Sequence, residues 1–275
     1  MSAPASGLRR YAARRRTDQW QPTDDATFVV AGSRAGSGAS TVTALLALAC
    51  AADGRRTLIV DTNEQQGSLA RVLGVEATNG LVSLQDPSVD LERVIVGVSE
   101  HCWLIPGALG ETPWKGKFGT SERRSVFRRI AQLYPSFDTI WFDAGSRLDG
   151  IIAAAGRGAW RFIGVSQADP VSLASAYAMV KAIETRWPGA PVEFLMNKHD
   201  EARATAGFEQ IRAASGHFLG RSVNCAGTIP LEPTLSAAAA QGRPLRRSVD
   251  AGEAGSLTAR VAVRLLAEFD DAPRS

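Results

Sequence analysis

The sequence predicts an α/β fold with a doubly wound, mostly parallel sheet and helices on both faces. Three observations carry this prediction. From Ala26 onward, short apolar β-type runs alternate with longer helical patterns, the order that builds parallel strands covered by crossover helices. The 275 residues suffice for one large α/β domain or two small ones, with a core that needs no staples. No internal repeat or low-complexity linker divides the chain, which favours one domain over two.

The elements follow in order. Strands are expected near 26–32 (ATFVVAG), 56–61 (RTLIVD), 102–106 (CWLIP), 139–143 (TIWFD), 161–166 (RFIGVS), 191–196 (PVEFLM) and 223–229 (VNCAGTI). Helical patterns lie near 39–53, 120–133, 171–185, 201–218 and 254–269. The last carries Leu257, Val261, Leu265 and Phe269 at helical spacing, an apolar stripe suited to covering a sheet and not to lying on a membrane. Residues 1–21 read as a flexible basic arm, and 22–275 as the single domain.

Composition narrows the class. Hydrophobic residues at 45%, charged residues at 21% and a mean hydropathy of -0.07 argue against disorder and membrane spanning. No apolar run approaches the ~18 residues of a transmembrane helix. Cys50, Cys102 and Cys225 are widely spaced in apolar stretches, the pattern of reduced core thiols in a cytosolic protein. His101, His199 and His217 lack metal-ligand spacing. The scattered tryptophans suit sheet packing and offer no stacking code for nucleic acid. Net charge is +3, yet Arg9, Arg10, Arg14, Arg15 and Arg16 crowd the first sixteen residues without an acid. Such an arm fits a solvated tail, a nucleic-acid contact or a partner-binding segment, and Leu8, Tyr11 and Ala12 favour the last. The ERRSVFRR stretch (122–129) is read as a solvated helix face.

Chemistry concentrates after the first strand, at Gly32-Ser33-Arg34-Ala35-Gly36-Ser37-Gly38-Ala39-Ser40-Thr41 and the Ala/Leu-rich helix behind it. A strand, a glycine turn and a helix start bring free backbone N–H groups and a positive dipole end to one point, an anion site. Ser40 is placed to offer a hydroxyl to Mg²⁺. Asp61 and Asp143 each close an apolar strand at the edge where open α/β sheets bind ligands, though an aspartate there also caps turns. Gly36-Ser37-Gly38-Ala39-Ser40-Thr41 also begins like a dinucleotide fingerprint, with Asp61 near the ribose-binding position. The third glycine is missing, and so is any proton-transfer constellation, which disfavours an oxidoreductase.

The loop is similar to the K-G-G-x-G-K-[ST] phosphate loop of MinD/ParA-type P-loop ATPases: Gly36, Gly38 and Ser40 fit, Arg34 stands at the family's additional lysine and Ala39 at its phosphate-loop lysine. TLIVDTNEQQGSLARVLGV (57–75) resembles the second strand and first switch, with Asp61, Leu69, Leu73 and Gly74 matching and Asn63 where the water-positioning aspartate falls. FDTIWFDAGS (137–146) resembles the Walker B strand, with Asp143 at the position that helps hold Mg²⁺ through water. FLMNKHD (194–200) places Asn197 at the base-reading asparagine, and CAGTIPLEPTLSAAAAQGRPL (225–245) places Pro230 beside the purine. Within that family the pattern looks most like the FlhG/FleN regulators of flagellar number and placement, whose arm motif D-Q-A-x-G-L-R is half preserved in Ala5-Ser6-Gly7-Leu8-Arg9, with Ala3 and Pro4 in place of its aspartate and glutamine.

The resemblance implies ATP or ADP with Mg²⁺ as ligands and a nucleotide-dependent homodimer. It also implies as partner a flagellar signal-recognition-type GTPase (FlhF) or a flagellar transcription regulator. Cytoplasmic location, recruitment to a cell pole, weak or no membrane binding and no direct nucleic-acid contact are the corresponding expectations. Arg34, Asp61 and Asn63 stand at catalytic positions, whereas Gly36, Ser37, Gly38, Ala39, Ser40, Thr41, Asp143, Asn197 and Pro230 stand at nucleotide-binding ones. Loss of the loop lysine and of the switch carboxylate weakens the expected hydrolysis, and the rival reading is a non-hydrolysing adaptor. Cellulose secretion and chromosome partition are related alternatives.

Overall fold

The computed structural model describes residues 26–62, 68–107, 120–146, 160–233, 235, 237, 245 and 253–270. The arm and Asn63 lie outside the described residues. In chain order the elements are β1 (Ala26–Gly32), α1 (Ala39–Ala52), β2 (Thr57–Asp61), α2 (Leu69–Leu73), β3 (Val96–Ser99), β4 (Cys102–Ile105) and α3 (Thr120–Ala131). There follow β5 (Thr139–Asp143), β6 (Trp160–Ser166), α4 (Pro170–Arg186), β7 (Val192–Asn197), α5 (Glu201–Leu219), β8 (Asn224–Ile229) and α6 (Glu253–Asp270).

The sheet runs β3-β4-β2-β5-β1-β6-β7-β8, and only the β3/β4 pair is antiparallel. All seven expected strands are present, so the predicted fold class holds. The eighth, β3, corrects the strand count. It is a four-residue edge strand, half-buried at three positions, with a register shift between Gly97 and Ser99, so it lacks the continuous apolar run of an inner strand. The five-residue α2 is likewise an addition, too short to show a period.

Strand residues divide the core between two faces. Phe28 and Val30 of β1 pack with α1, α2 and α6, whereas Val29 and Ala31 pack with α3, α4 and α5. Phe28 stacks on Trp141 with ring centroids 4.1 Å apart. Burial on both faces explains why the inner strands read as apolar throughout. The final helix packs on α1 and β8, as its stripe predicts. Arg264 on α6 and Arg161 on β6 both face the buried Glu193 of β7, at 3.5 and 3.9 Å. Among the described residues no helix is long and apolar enough to cross a membrane.

Two local readings need correction. Cys50 and Cys102 are buried, but Cys225 is half-buried on the outermost strand β8. In α3, Arg124 and Arg128 are solvated as expected, whereas Arg129 donates to the carbonyls of Leu84 (2.7 Å), Asp86 (3.0 Å) and Val89 and so staples the preceding loop. Its fan of donors matches three loop carbonyls, a structural task that a charge run does not reveal.

β1 lies between β5 and β6, and the chain passes from one side of it to the other. The glycine loop after β1 therefore sits where the strand order reverses, at the crevice outside the strand C-termini.

Candidate functional site

The loop from Ser33 to Gly38 is held from below and from the side. Gly32 N–H donates to the Gly145 carbonyl (2.6 Å) and Ser33 N–H to that of Val165 (2.9 Å). Gly38 caps α1 at φ 97°, ψ 15°, in the left-handed region, and no side chain caps the helix. A Cβ on Gly38 would meet Asn197 Nδ2 at 2.3 Å, so glycine is required by both backbone and space. With no side-chain cap, the first-turn N–H groups of α1 remain available to a ligand.

Carbonyls of the same loop are bound from outside. Asn197 Nδ2 donates to Ser37 O (2.8 Å), Lys198 Nζ to Gly36 O (2.8 Å) and Gln167 Nε2 to Gly36 O (3.2 Å). Ser33 N–H and Ser37 N–H are taken as well, by the Val165 and Arg34 carbonyls, so the amides left for a ligand are those of Gly36, Gly38 and the first turn of α1. Lys198 adopts φ 67°, the only positive φ outside glycine among the described residues. Such strain in a non-glycine residue costs about 1–3 kcal/mol and persists where the surroundings impose it.

Asp61 and Asp143 are directly opposite on β2 and β5, and both are buried. Asp61 Oδ2 accepts from Leu69 N (3.1 Å), which anchors the start of α2. Asp143 Oδ1 accepts from Gly145 N (2.9 Å), while Oδ2 is buried without a hydrogen-bond partner. Burial pushes the Asp143 carboxyl above its usual range, offset in part by the nearby Ser40 hydroxyl and the Gly145 amide. Ser40 Oγ also accepts from Ser68 Oγ (3.1 Å), which links the starts of α1 and α2.

The Ser40 hydroxyl and the unpartnered Asp143 oxygen form an all-oxygen donor set, and the described residues hold no cluster of three or more His, Cys, Asp or Glu able to bind a metal. That suits Mg²⁺, which keeps waters and shares coordination with phosphate, and does not suit zinc. Because the raised pKa retains the Asp143 proton to higher pH than an ordinary carboxyl, acidification should remove Mg²⁺ before such a carboxyl would. If Mg²⁺ and a nucleotide bind here, the Mg²⁺-dependent part of the affinity, titrated with and without EDTA, is expected to fall with acidification. Asp143→Asn should remove that Mg²⁺-dependent part. Its persistence in the variant would exclude Asp143.

Two hollows share Gly38 and Thr41. The larger, about 400 Å³, runs along Arg34 to Thr41 and is closed by Ser68, Arg71, Val72, Gly145, Ser146 and Leu245. The smaller, about 170 Å³, has apolar walls from Val42, Leu45, Ile229, Pro230 and Leu235, with Asn197, Lys198 and Glu232 at its polar side. An anion cradle beside an apolar slot suits a phosphorylated ring compound. Arg34 is turned from the loop: Nε donates to Ser172 Oγ (2.8 Å) and Nη2 lies 3.4 Å from Asp169 Oδ2. Asp169 caps α4 through Ser172 N (3.0 Å), and those serine contacts, then Arg34, hold its carboxyl below the usual range. With 43% and 31% of the two side chains exposed, the pair is worth about 0–1 kcal/mol, weak enough for a competing anion to displace.

The structure thus brings together Gly36, Ser37, Gly38, Ala39, Ser40, Thr41, Asp143, Asn197 and Pro230, with Asp61 beneath and Arg34 at the rim. The sequence reading missed Gln167, Lys198, Ser68 and Arg71. Lys198 directly follows Asn197, and Asp169-Pro170 is a legible helix start, but the contacts of Gln167 and Lys198 with Gly36 span 131 and 162 residues and have no local signal.

Comparisons agree with this geometry. A family model described as the CobQ/CobB/MinD/ParA nucleotide binding domain matches residues 28–245. The antiactivator FleN of Pseudomonas aeruginosa is 21% identical over 209 residues, 76% of this chain and 74% of FleN. Among solved structures, Pyrococcus horikoshii MinD complexed with Mg-ADP is similar with TM-score 0.71 and 20% identity, covering 90% of this chain and 99% of that one. Aquifex aeolicus MinD in its complex with MinC gives TM-score 0.70 and 18% identity, covering 88% and 96%. The cradle after β1 and the family match across most of the chain lead to one conclusion: this chain belongs to the CobQ/CobB/MinD/ParA nucleotide-binding domain family of P-loop ATPases.

Proposed function

We propose that this chain is a FlhG/FleN-like switch that binds ATP and Mg²⁺, hydrolyses ATP weakly, and regulates the number or placement of flagella. The observation that carries the nucleotide reading is the glycine loop, its carbonyls tied back by Asn197, Lys198 and Gln167 so that the amides of Gly36, Gly38 and the first turn of α1 are left for phosphate. Phosphates would lie on residues Gly36 to Thr41, and the base in the slot lined by Asn197 and Pro230. Ser40 and Asp143 would hold Mg²⁺, which when bound neutralises phosphate charge. The flagellar assignment rests on the similarity to FleN and on Ala5-Ser6-Gly7-Leu8-Arg9.

A terminal phosphate that binds the loop can compete with Asp169 for Arg34 and add contacts across a homodimer, so that nucleotide state sets the assembly. The partner is a flagellar signal-recognition-type GTPase or a flagellar transcription regulator. The protein acts in the cytoplasm with recruitment to a pole, without membrane insertion. The second reading, a non-hydrolysing adaptor, is favoured by Ala39 and Asn63, which remove a phosphate-binding lysine and a water-positioning carboxylate.

Calorimetric titration with ATP and ADP, with light scattering for mass, tests the switch: ATP with Mg²⁺ should give dimers and ADP monomers. Equal mass in both states would leave the adaptor reading. The arm is tested by GTP hydrolysis of the partner with a peptide of residues 1–21. The peptide should bind but stimulate poorly, and Pro4→Gln should raise stimulation. Full stimulation by the native peptide would refute the role given to Pro4, and no binding by either peptide would refute the arm's link to the GTPase.

A further inference from the structure

The 400 Å³ cleft lacks the lysine that its loop would carry at Ala39, yet its described walls contain two arginines and no carboxylate side chain. Arg34 is committed to Ser172 and Asp169. Arg71 is exposed on α2, and among the described residues its side chain makes no ion pair or hydrogen bond. Its placement is fixed, because Leu69, Ala70 and Leu73 bury the other side of this short helix in the core. The Leu69 amide on Asp61 and the Ser68–Ser40 contact hold the start of α2 against the start of α1. A guanidinium on this rigid wall therefore faces the same space as the loop amides.

We propose that Arg71 is the phosphate-binding cation of this site, serving in place of the lysine absent at position 39, with the terminal phosphates of a nucleoside triphosphate as its ligand. This rests on the nucleotide reading above. The guanidinium fork can take two phosphate oxygens at once, and it approaches from α2, whereas a loop lysine would run along the loop itself. Ground-state affinity is thus supplied from α2. A binding preference for more phosphates follows, since each added phosphate brings charge to a cleft whose only described charged walls are Arg34 and Arg71.

Calorimetry with ATP, ADP and adenosine tests the assignment on wild type, Arg71→Ala, Arg71→Lys and the double variant Arg71→Ala/Ala39→Lys. Arg71→Ala should weaken ATP about 10- to 100-fold, ADP less and adenosine not at all, as expected for loss of a charge-assisted contact. Arg71→Lys should recover part of the loss, and Ala39→Lys should recover most of it from the loop. Arg71 is exposed, so its variants should melt with wild type. Wild-type ATP binding that Arg71→Ala leaves unchanged, or a loss equal for ATP and adenosine, overturns the assignment while the nucleotide reading stands. A wild-type chain that binds neither ATP nor ADP overturns both.

Discussion

Restoring lysine at position 39 together with a carboxylate at position 63 is expected to raise ATP turnover by about 10³-fold or more. Each such group typically supplies a few kcal/mol to phosphoryl transfer, the lysine by neutralising charge and the carboxylate by orienting water. Ala39 lines the cleft beside Ser40 but is itself buried against the core under α1, so a lysine there must leave that packing to run along the loop. If Arg71 already supplies ground-state binding, Ala39→Lys should change kcat more than ATP affinity, because only the turnover step gains a group it lacked. Steady-state phosphate release from wild type, Ala39→Lys, Asn63→Asp and the double variant measures this. Wild-type turnover already matching the double variant would refute weakened hydrolysis. Arg34→Ala in the double variant then asks whether the rim arginine, once released from Asp169, contributes: activity should drop.

Gly38→Ala should lose nucleotide affinity by about 100-fold or more and destabilise the chain by about 1–3 kcal/mol. The methyl would have to occupy the space of Asn197 Nδ2, 2.3 Å away, on a backbone at φ 97° that L residues rarely adopt. Moving Asn197 frees the Ser37 carbonyl and with it the orientation of the loop. Gly36→Ala is the control: its φ is 79°, but nothing lies within 4 Å of the added Cβ, so it carries the backbone cost without the clash. Thermal melts and ATP titrations of both variants separate the two contributions. Equal losses would show that backbone strain, and not Asn197, governs the loop.

The sequence made much of this molecule legible. Apolar runs of strand length separated by helical periods located seven strands, because inner strands buried on both faces must be apolar throughout. The edge strand β3 escaped, being short, half-buried and interrupted by a register shift. Asp143 was legible as a strand-end carboxylate beside the glycine loop, and its burial gives that reading its electrostatic consequence. For Asp61 the same signal left two roles open, and its contact with the Leu69 amide shows that it anchors the start of α2.

By itself the sequence determined the inner strands and the glycine loop, since these depend on local spacing and residue type, whereas the departures at Ala39 and Asn63 are visible only against the family pattern that the chain resembles. Only the tertiary structure decided which way Arg34 points, which side chains hold the loop's carbonyls and which cation faces the cleft from α2. Arg34 meets Asp169 across 135 residues and Lys198 meets Gly36 across 162. Contacts at such separations arise because a doubly wound sheet gathers its strand ends along one edge, and no window along the chain contains both partners.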